Sequence, residues 1–292
     1  MTHLSLLRSA VVLPSFLVLA TAVYWSGLSG GFVFDDYPNL VDNSRLHIQS
    51  LDRESLLGAA LSAPDGAASR PLSMLTFALN HSASGLDAWP YKLTNLVIHG
   101  VNGVLTVLLA YVLFLVTEQR HDARGSNRAM WLAALAGAMW LVHPIGLTSV
   151  LYVVQRMTSL SAGFILLGLV AYAWGRWRMV SGREGGWAFV IAGLVCVPPA
   201  VMSKENGILL PLYWFILEFV FFRFESATVR SRLFLHLMLA LLLVLPMVLL
   251  GLFLAGNPEW FLRGYDLRDF TLDERLLTQF RVLWTYVGLI LW

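Results

Sequence analysis

Charge is scarce in this chain of 292 residues: only 13% are Asp, Glu, Lys or Arg, while 58% are hydrophobic and mean hydropathy is +0.68. That balance excludes an ordinary water-soluble domain. A single cysteine, Cys196, lies inside an apolar run, so an intrachain disulfide is excluded and packing alone must order the loops. Of the 20 basic residues only Lys92 and Lys204 are lysines, an arginine bias that points to a GC-rich genome and hence to a bacterium. The sequence contains no glycine-rich phosphate loop, no paired-cysteine metal motif and no nucleophile elbow, which argues against soluble-nucleotide chemistry. Internal repeats and low-complexity tracts are also missing.

What is present is a series of continuous apolar runs, several near the roughly 20 residues a helix needs to cross about 30 Å of hydrocarbon. Because the runs do not alternate with period two, they predict helices and exclude a barrel. The expected fold class is therefore an all-α polytopic membrane protein. The first run, Ser9 to about Tyr24, follows Arg8 and contains Ala20-Thr21-Ala22, so a cleaved signal peptide competes with a retained helix. Tyr24 and Trp25 extend the run as an interfacial anchor and favour retention. Six further spans are expected at roughly 91–116, 129–143, 158–174, 187–202, 207–222 and 233–254. An eighth opens near Thr278 and stops at Trp292 after about fifteen residues, too few to cross, so the whole of 1–292 is expected to be one transmembrane domain truncated at its C-terminus.

Residues 28–88 form the one long polar stretch. Within it, Ser50-Leu51-Asp52-Arg53-Glu54 predicts the start of a short helix, and Ser69-Arg70-Pro71 predicts an N-cap and early proline for a second. The second, PLSMLTFALNH, is apolar enough to lie in the membrane interface. Arg120, Arg124 and Arg128, then Arg176, Arg178 and Arg183, then Arg223, Arg230 and Arg232 fall in alternate short loops. With Arg8, these loops are cytoplasmic by the positive-inside rule. The 28–88 loop, Ser203 to Asn206 and the segment from about 255 to 277 then face the periplasm, or a lumen in a eukaryote.

The polar groups on that outer side are the candidate site. Asp35-Asp36 is either a solvated loop exit or a base or metal ligand at the water–lipid boundary, where partial burial raises a carboxylate pKa toward a useful range. If the segment is extended, its two carboxylates point opposite ways, one to a reacting centre and one to neighbouring backbone. Lys204 and Glu205, in SKEN between two short apolar runs of about 24 Å each, are expected to dip below the outer surface, with Pro198 and Pro199 loosening the preceding helix. Charges at that depth pair with one another or with Arg156, or meet a ligand. His143 before Pro144 is an interfacial histidine or a ligand, Arg156 a snorkelling side chain or a phosphate partner. Arg70 stands beside the second short helix, and Asn80-His81-Ser82 formally matches a glycosylation acceptor too common to carry weight.

In order along the chain, FVFDDYPNL, SRPLSMLTFALNH, YKLTNLVIHGVNGVL, WLVHPIGLTSVLYVVQR, SKENGILLPL and RLLTQFRVLWTYVGLIL resemble the transmembrane and tetratricopeptide repeat-containing protein O-mannosyltransferases and their bacterial relatives. The resemblance implies a GT-C-like helix bundle whose structured first outer loop carries the catalytic acid in a paired acidic motif. It implies transfer of mannose or another hexose from a polyprenyl-phosphate donor to a hydroxyl, protein Ser/Thr first, on the outer face of a bacterial inner membrane. By that match Asp35 is the leading candidate for the base and Asp36 its partner, while Arg70, His143, Arg156, Lys204 and Glu205 inherit candidacy for the site. Arg156, Lys204 and Arg70 would hold the donor phosphate. Attack opposite the leaving phosphate predicts inversion. The tetratricopeptide repeats of the family are absent, which leaves the acceptor class open. No cofactor is required, although adjacent aspartates would admit a divalent ion with oxygen ligands. Membrane lipid is the expected surrounding partner and nucleic acid is not. The rival reading is a transporter or flippase for a lipid-linked or amphiphilic substrate, using Lys204 and Glu205 at broken helices; a third is a non-catalytic membrane scaffold.

Overall fold

The computed structural model describes residues 3–64, 70–120, 128–226, 228–257, 259, 265 and 268–291, with side chains before Pro14 and that of Arg120 left aside. Among the described residues there are helices and turns and no strands. The protein is an all-α polytopic membrane protein. Among the described residues five helical stretches, 88–119, 153–180, 186–203, 205–222 and 229–256, are long and apolar enough to cross a membrane. A sixth is the pair Arg128–Leu141 and Pro144–Leu151, bent by 52°. Helix α1, His3–Trp25, precedes them.

The chain forms two compact units, 1–232 and 233–292. In the first, α4 (Ala88–Arg120) packs against α5 (Arg128–Val142) and α7 (Arg156–Val180), and α7 against α8 (Gly186–Val195) and α9 (Val197–Ser203). Small side chains make this approach possible. Ala129, Ala133, Gly137 and Ala138 line the buried face of α5, and a Cβ on Gly137 would come within 2.2 Å of Val107 on α4. In lipid, where apolar contact between helices gains little over contact with acyl chains, such close packing is a principal source of association.

The 28–88 loop is built on protein. α2 (Arg53–Ala60) starts at Asp52, whose carboxylate accepts the Ser55 amide at 2.9 Å, as the sequence predicts. α3 (Pro71–Ser84) begins at the expected proline, but the residue before it, Arg70, is left-handed (φ 40°, ψ 47°) and makes no side-chain cap; Ser69 lies outside the described residues. The apolar face of α3, Met74, Phe77 and Ala78, is buried against Leu40, Leu46, Tyr91, Val153 and Met157. Its apolarity therefore serves a protein core. At roughly 25 cal/mol per Å² of buried apolar surface, a buried phenylalanine alone is worth about 2–3 kcal/mol relative to exposure.

Two positions differ from expectation. Arg176, counted among loop charges, is buried in α7, where Nε and Nη2 donate to Glu218, Nη2 also reaches the Glu225 carbonyl, and the Tyr172 hydroxyl donates to Glu218 at 2.9 Å. A buried guanidinium needs such full pairing, and composition alone does not reveal a partner 42 residues away. Arg124 lies outside the described residues. In the second unit, α12 (Leu272–Leu291) starts earlier than Thr278. Thr271 and Glu274 form a reciprocal capping box, the Thr271 amide donating to Glu274 at 2.7 Å and the Glu274 amide to Thr271 at 3.3 Å. That signal outweighs the charges an apolar count rejects.

The helix break at SKENG positions the site. α9 ends at Ser203, Lys204 is extended (φ −160°, ψ 147°), and a 3-10 turn, Glu205–Leu209, leads into α10 (Leu210–Leu217). Pro198 and Pro199 open α9, where their missing amides cost nothing, and so separate it from α8. Gly207 lies so close to α9 that an added Cβ would be 2.2 Å from the Ala200 carbonyl carbon. The Ser73 hydroxyl from α3 donates to the Ser203 carbonyl at 2.8 Å, and Ser161 from α7 to that of Ala200 at 3.0 Å, fixing the turn from two sides.

Candidate functional site

Four segments far apart in sequence converge on a cavity of about 410 Å³. Asp35, Pro38 and Asn39 come from the first turn of the 28–88 loop, Pro64 and Arg70 from the stretch leading into α3, Val154, Gln155 and Met157 from the start of α7, and Lys204 from the helix break. One exposed carboxylate thus faces a space that also holds an arginine and a lysine.

Asp35 and Asp36 are divided by a turn; the segment is not extended. Phe34 is left-handed (φ 44°) and Asp36 already helical (φ −62°, ψ −34°). A non-glycine residue in that region costs about 1–2 kcal/mol, to be met by surrounding contacts. Those contacts are in place. The Asp36 carboxylate is fully buried and accepts the Val33 amide at 3.0 Å and the Val154 amide at 2.7 Å, closing the turn and tying it to the start of α7. Burial raises its pKa, opposed by these amides and by the charge of Lys92. Lys92 is itself buried and donates to the Gly30 carbonyl at 2.8 Å. Asp36 is thus the structural member of the pair.

Asp35 lines the cavity. Its amide donates to the Tyr152 hydroxyl at 2.9 Å, and its carbonyl accepts the Asn39 side-chain amide at 2.9 Å, so its backbone is held on both sides. Burial raises the Tyr152 pKa, the Asp35 amide opposes the shift and the adjacent Asp35 carboxylate adds to it. Across the cavity, Lys204 donates to the Thr158 hydroxyl at 2.7 Å, which donates to Gln155 at 2.8 Å. Burial lowers the Lys204 pKa, the Arg70 charge lowers it further, and Glu205 opposes both. Arg70 and Glu205 form a bidentate pair, Nε to Oε2 at 3.0 Å and Nη2 to Oε1 at 2.8 Å.

Arg156 is corrected. It is fully buried, away from the cavity surface, and its fork is spent on protein acceptors: Asn95 Oδ1 at 2.8 Å, the Thr76 carbonyl at 3.1 Å and the Tyr91 carbonyl at 2.8 Å. Its Cζ lies 4.7 Å from the Phe77 ring centroid and 5.6 Å from that of Tyr91. The residue pins α3 and α4 to the start of α7 and is not part of the cavity lining. His143 is absent from the cavity lining; its Nδ1 accepts the Ile145 amide at 3.2 Å and caps the turn after α5. Sequence reasoning missed Tyr152, Gln155, Thr158 and Asn39. The first two stand in the LYVVQR stretch, but nothing in their identity separates them from ordinary interfacial polar residues. Among the described residues no group of three or more His, Cys, Asp or Glu could hold a metal ion.

Comparison with known proteins adds relatives. The chain is 32% identical over 197 residues to protein O-mannosyl-transferase TMTC3 of Homo sapiens, covering 65% of this chain and 20% of that protein. It is 29% identical over 255 residues to TMTC2 of Homo sapiens, 82% of this chain and 29% of that protein, and 29% identical over 222 residues to TMTC4 of Homo sapiens, 71% and 30%. The chain spans only about a fifth to three tenths of these curated relatives. No family model and no solved structure matches it.

Proposed function

From a chain that is a relative of the TMTC protein O-mannosyl-transferases, we propose a membrane glycosyltransferase that moves mannose or another hexose from a polyprenyl-phosphate donor to a protein Ser/Thr hydroxyl. The observation that carries this reading is the cavity in which Asp35 confronts Arg70 and Lys204. A carboxylate and two cations are the groups such a transfer needs, one to take a proton and two to receive a leaving phosphate.

Asp35 accepts the proton of the acceptor hydroxyl as its oxygen attacks the anomeric carbon. The bond from that carbon to the phosphate oxygen breaks, its electron pair stays on the phosphate, and Arg70 and Lys204 stabilise the added negative charge. Attack from the side opposite the phosphate inverts the anomeric centre. Tyr152 and Asn39 hold the Asp35 backbone, while Thr158 and Gln155 hold Lys204, so that the groups need little reorganisation during reaction. The site then faces the periplasm of a bacterial inner membrane, the side where a lipid-linked donor and a secreted acceptor meet. Arg70 and Lys204 are the donor-phosphate residues of this reading; Arg156 and Asp36 support the scaffold.

The test is glycopeptide mass analysis of envelope proteins from cells carrying the wild-type or the Asp35→Asn chain at matched membrane levels. Loss of a positioned base lowers turnover by about 10²–10⁴, so hexose-sized additions at particular Ser/Thr sites should disappear. Unchanged glycopeptides in the mutant overturn Asp35 as base; unchanged glycopeptides with redistributed lipid-linked sugar favour a transporter.

A further inference from the structure

Arg70 lines the cavity, yet its fork is already occupied. Nε and Nη2 are taken by the two Glu205 oxygens, and Nη1 points to Met157 Sδ at 3.4 Å. Two parallel N–H···O bonds from one guanidinium to one oxyanion are also how arginine grips a phosphate. Glu205 therefore competes with any anionic ligand for the Nε and Nη2 edge of Arg70.

We propose that Glu205 is a displaceable internal anion, a latch on Arg70 that the phosphate of a lipid-linked substrate must displace before it can engage Arg70 and Lys204 together. The inference rests on reading the cavity as a phosphate site. Mobility is asymmetric around the pair. Arg70 is 20% exposed and Glu205 50% exposed at the side chain, so the carboxylate returns to water with little change in solvation. Glu205 begins a short 3-10 turn directly after the extended Lys204, where a side-chain rotation suffices and no helix needs to move. The cations, by contrast, are held without it. The Arg70 backbone is fixed by its left-handed conformation before Pro71 and by its carbonyl, which accepts the Met74 amide at 3.1 Å, and its Nη1 keeps Met157 Sδ at 3.4 Å; Lys204 is held by Thr158. When Glu205 leaves, the positive site stays assembled.

Such a latch acts on product as well as on substrate. Cleavage converts a singly charged phosphodiester into a more highly charged phosphate monoester, which both cations would otherwise retain. A tethered carboxylate competing for Arg70 lowers affinity for every anion by the fraction of time it is closed, and so speeds release of the carrier.

The probe is farnesyl phosphate, titrated against the purified full chain in lipid nanodiscs and read by tryptophan fluorescence. Glu205→Gln should bind it about 3- to 10-fold more tightly than wild type, and Glu205→Ala, which offers the phosphate no amide, should shift affinity in the same direction. Arg70→Gln should abolish the binding. If Arg70→Gln loses binding but both Glu205 variants bind as wild type or more weakly while melting at its temperature, the latch is wrong and Glu205 orients Arg70. If farnesyl phosphate binds none of the proteins, or binds Arg70→Gln as well as wild type, the phosphate reading of the cavity fails and the latch with it.

Discussion

Replacing Arg156 by lysine separates a structural arginine from a phosphate-binding one. The guanidinium satisfies Asn95 Oδ1, the Thr76 carbonyl and the Tyr91 carbonyl at 2.8–3.1 Å, and lies against the Phe77 and Tyr91 rings. An ammonium carries the same charge on a different geometry and cannot span all three acceptors in their planar arrangement. Leaving one or two of them unpaired in a fully buried site costs about 1–3 kcal/mol each, so Arg156→Lys should lose on the order of 2–5 kcal/mol. At the roughly 2–4 °C per kcal/mol typical of domains of 150–250 residues, the first unit should melt about 5–15 °C lower. The assay is thermal unfolding in detergent, run beside farnesyl phosphate titration below the melting temperature. The expected pattern is a large thermal shift with phosphate affinity unchanged among folded molecules. A variant that melts with wild type but binds farnesyl phosphate weakly would refute the structural assignment and return Arg156 to the ligand site.

Gly207→Ala should fail more completely than an ordinary glycine substitution, because its Cβ would meet the Ala200 backbone at 2.2 Å, where no side chain can yield; limited proteolysis at the 203–209 turn should become rapid, and an unchanged cleavage pattern would contradict the close approach. Asp36 should give the fold an acid-side advantage: its folded pKa is raised by burial, so its contribution is full below the unfolded value, near 3.9, and falls as pH rises through the raised folded value. Melting measured from about pH 4 upward should show that decline in wild type and lose it in Asp36→Asn, whose single acceptor oxygen leaves one of the two amides unpaired at about 1–3 kcal/mol. His81, stacked on His47 at 4.4 Å, has its pKa lowered by burial and by that neighbour. Its contribution is present above the unfolded value, near 6.5, and lost as pH falls through the folded one, so imidazole NMR titration should place the His81 midpoint below the ordinary histidine value, and a midpoint at or above that value would discount the effect of its burial.

The helices were legible because apolar run length is a local property, and the SKENG break could be read from short runs flanking two prolines. The start of α2 was legible because its signal is local, although Asp52 is the N-cap and not a first-turn acid. What escaped was partner choice. Arg156 read as a snorkelling side chain or a phosphate partner and Arg176 as a loop charge because their acceptors lie between 42 and 80 residues away, and although one carboxylate of the acidic pair was expected to meet backbone, the sequence did not say which amides. Tyr152 and Thr158 were invisible for the same reason: a hydroxyl declares its role only through what stands opposite it. Asp35, Arg70 and Lys204, which line one cavity, were singled out because each sits at a turn or break where a charge needs an explanation.

The two halves of the acidic pair show how a rigid scaffold can carry a mobile reaction. Asp36 is buried and spends both oxygens on backbone, which fixes the turn at the cost of a carboxylate out of water. Its neighbour is thereby held in register with Tyr152 while its own carboxylate faces the cavity. The cations divide in the same way: Arg156, fully engaged, fixes the junction of α3, α4 and α7, whereas Arg70 holds only a half-exposed carboxylate that can leave. Fully buried residues held by the protein build the site, and on the proposed reading those that line the cavity act in it. On the proposed reading Asp35, Arg70 and Lys204 carry the chemistry, and substitutions at Asp36 or Arg156 should reduce activity in proportion to lost folding.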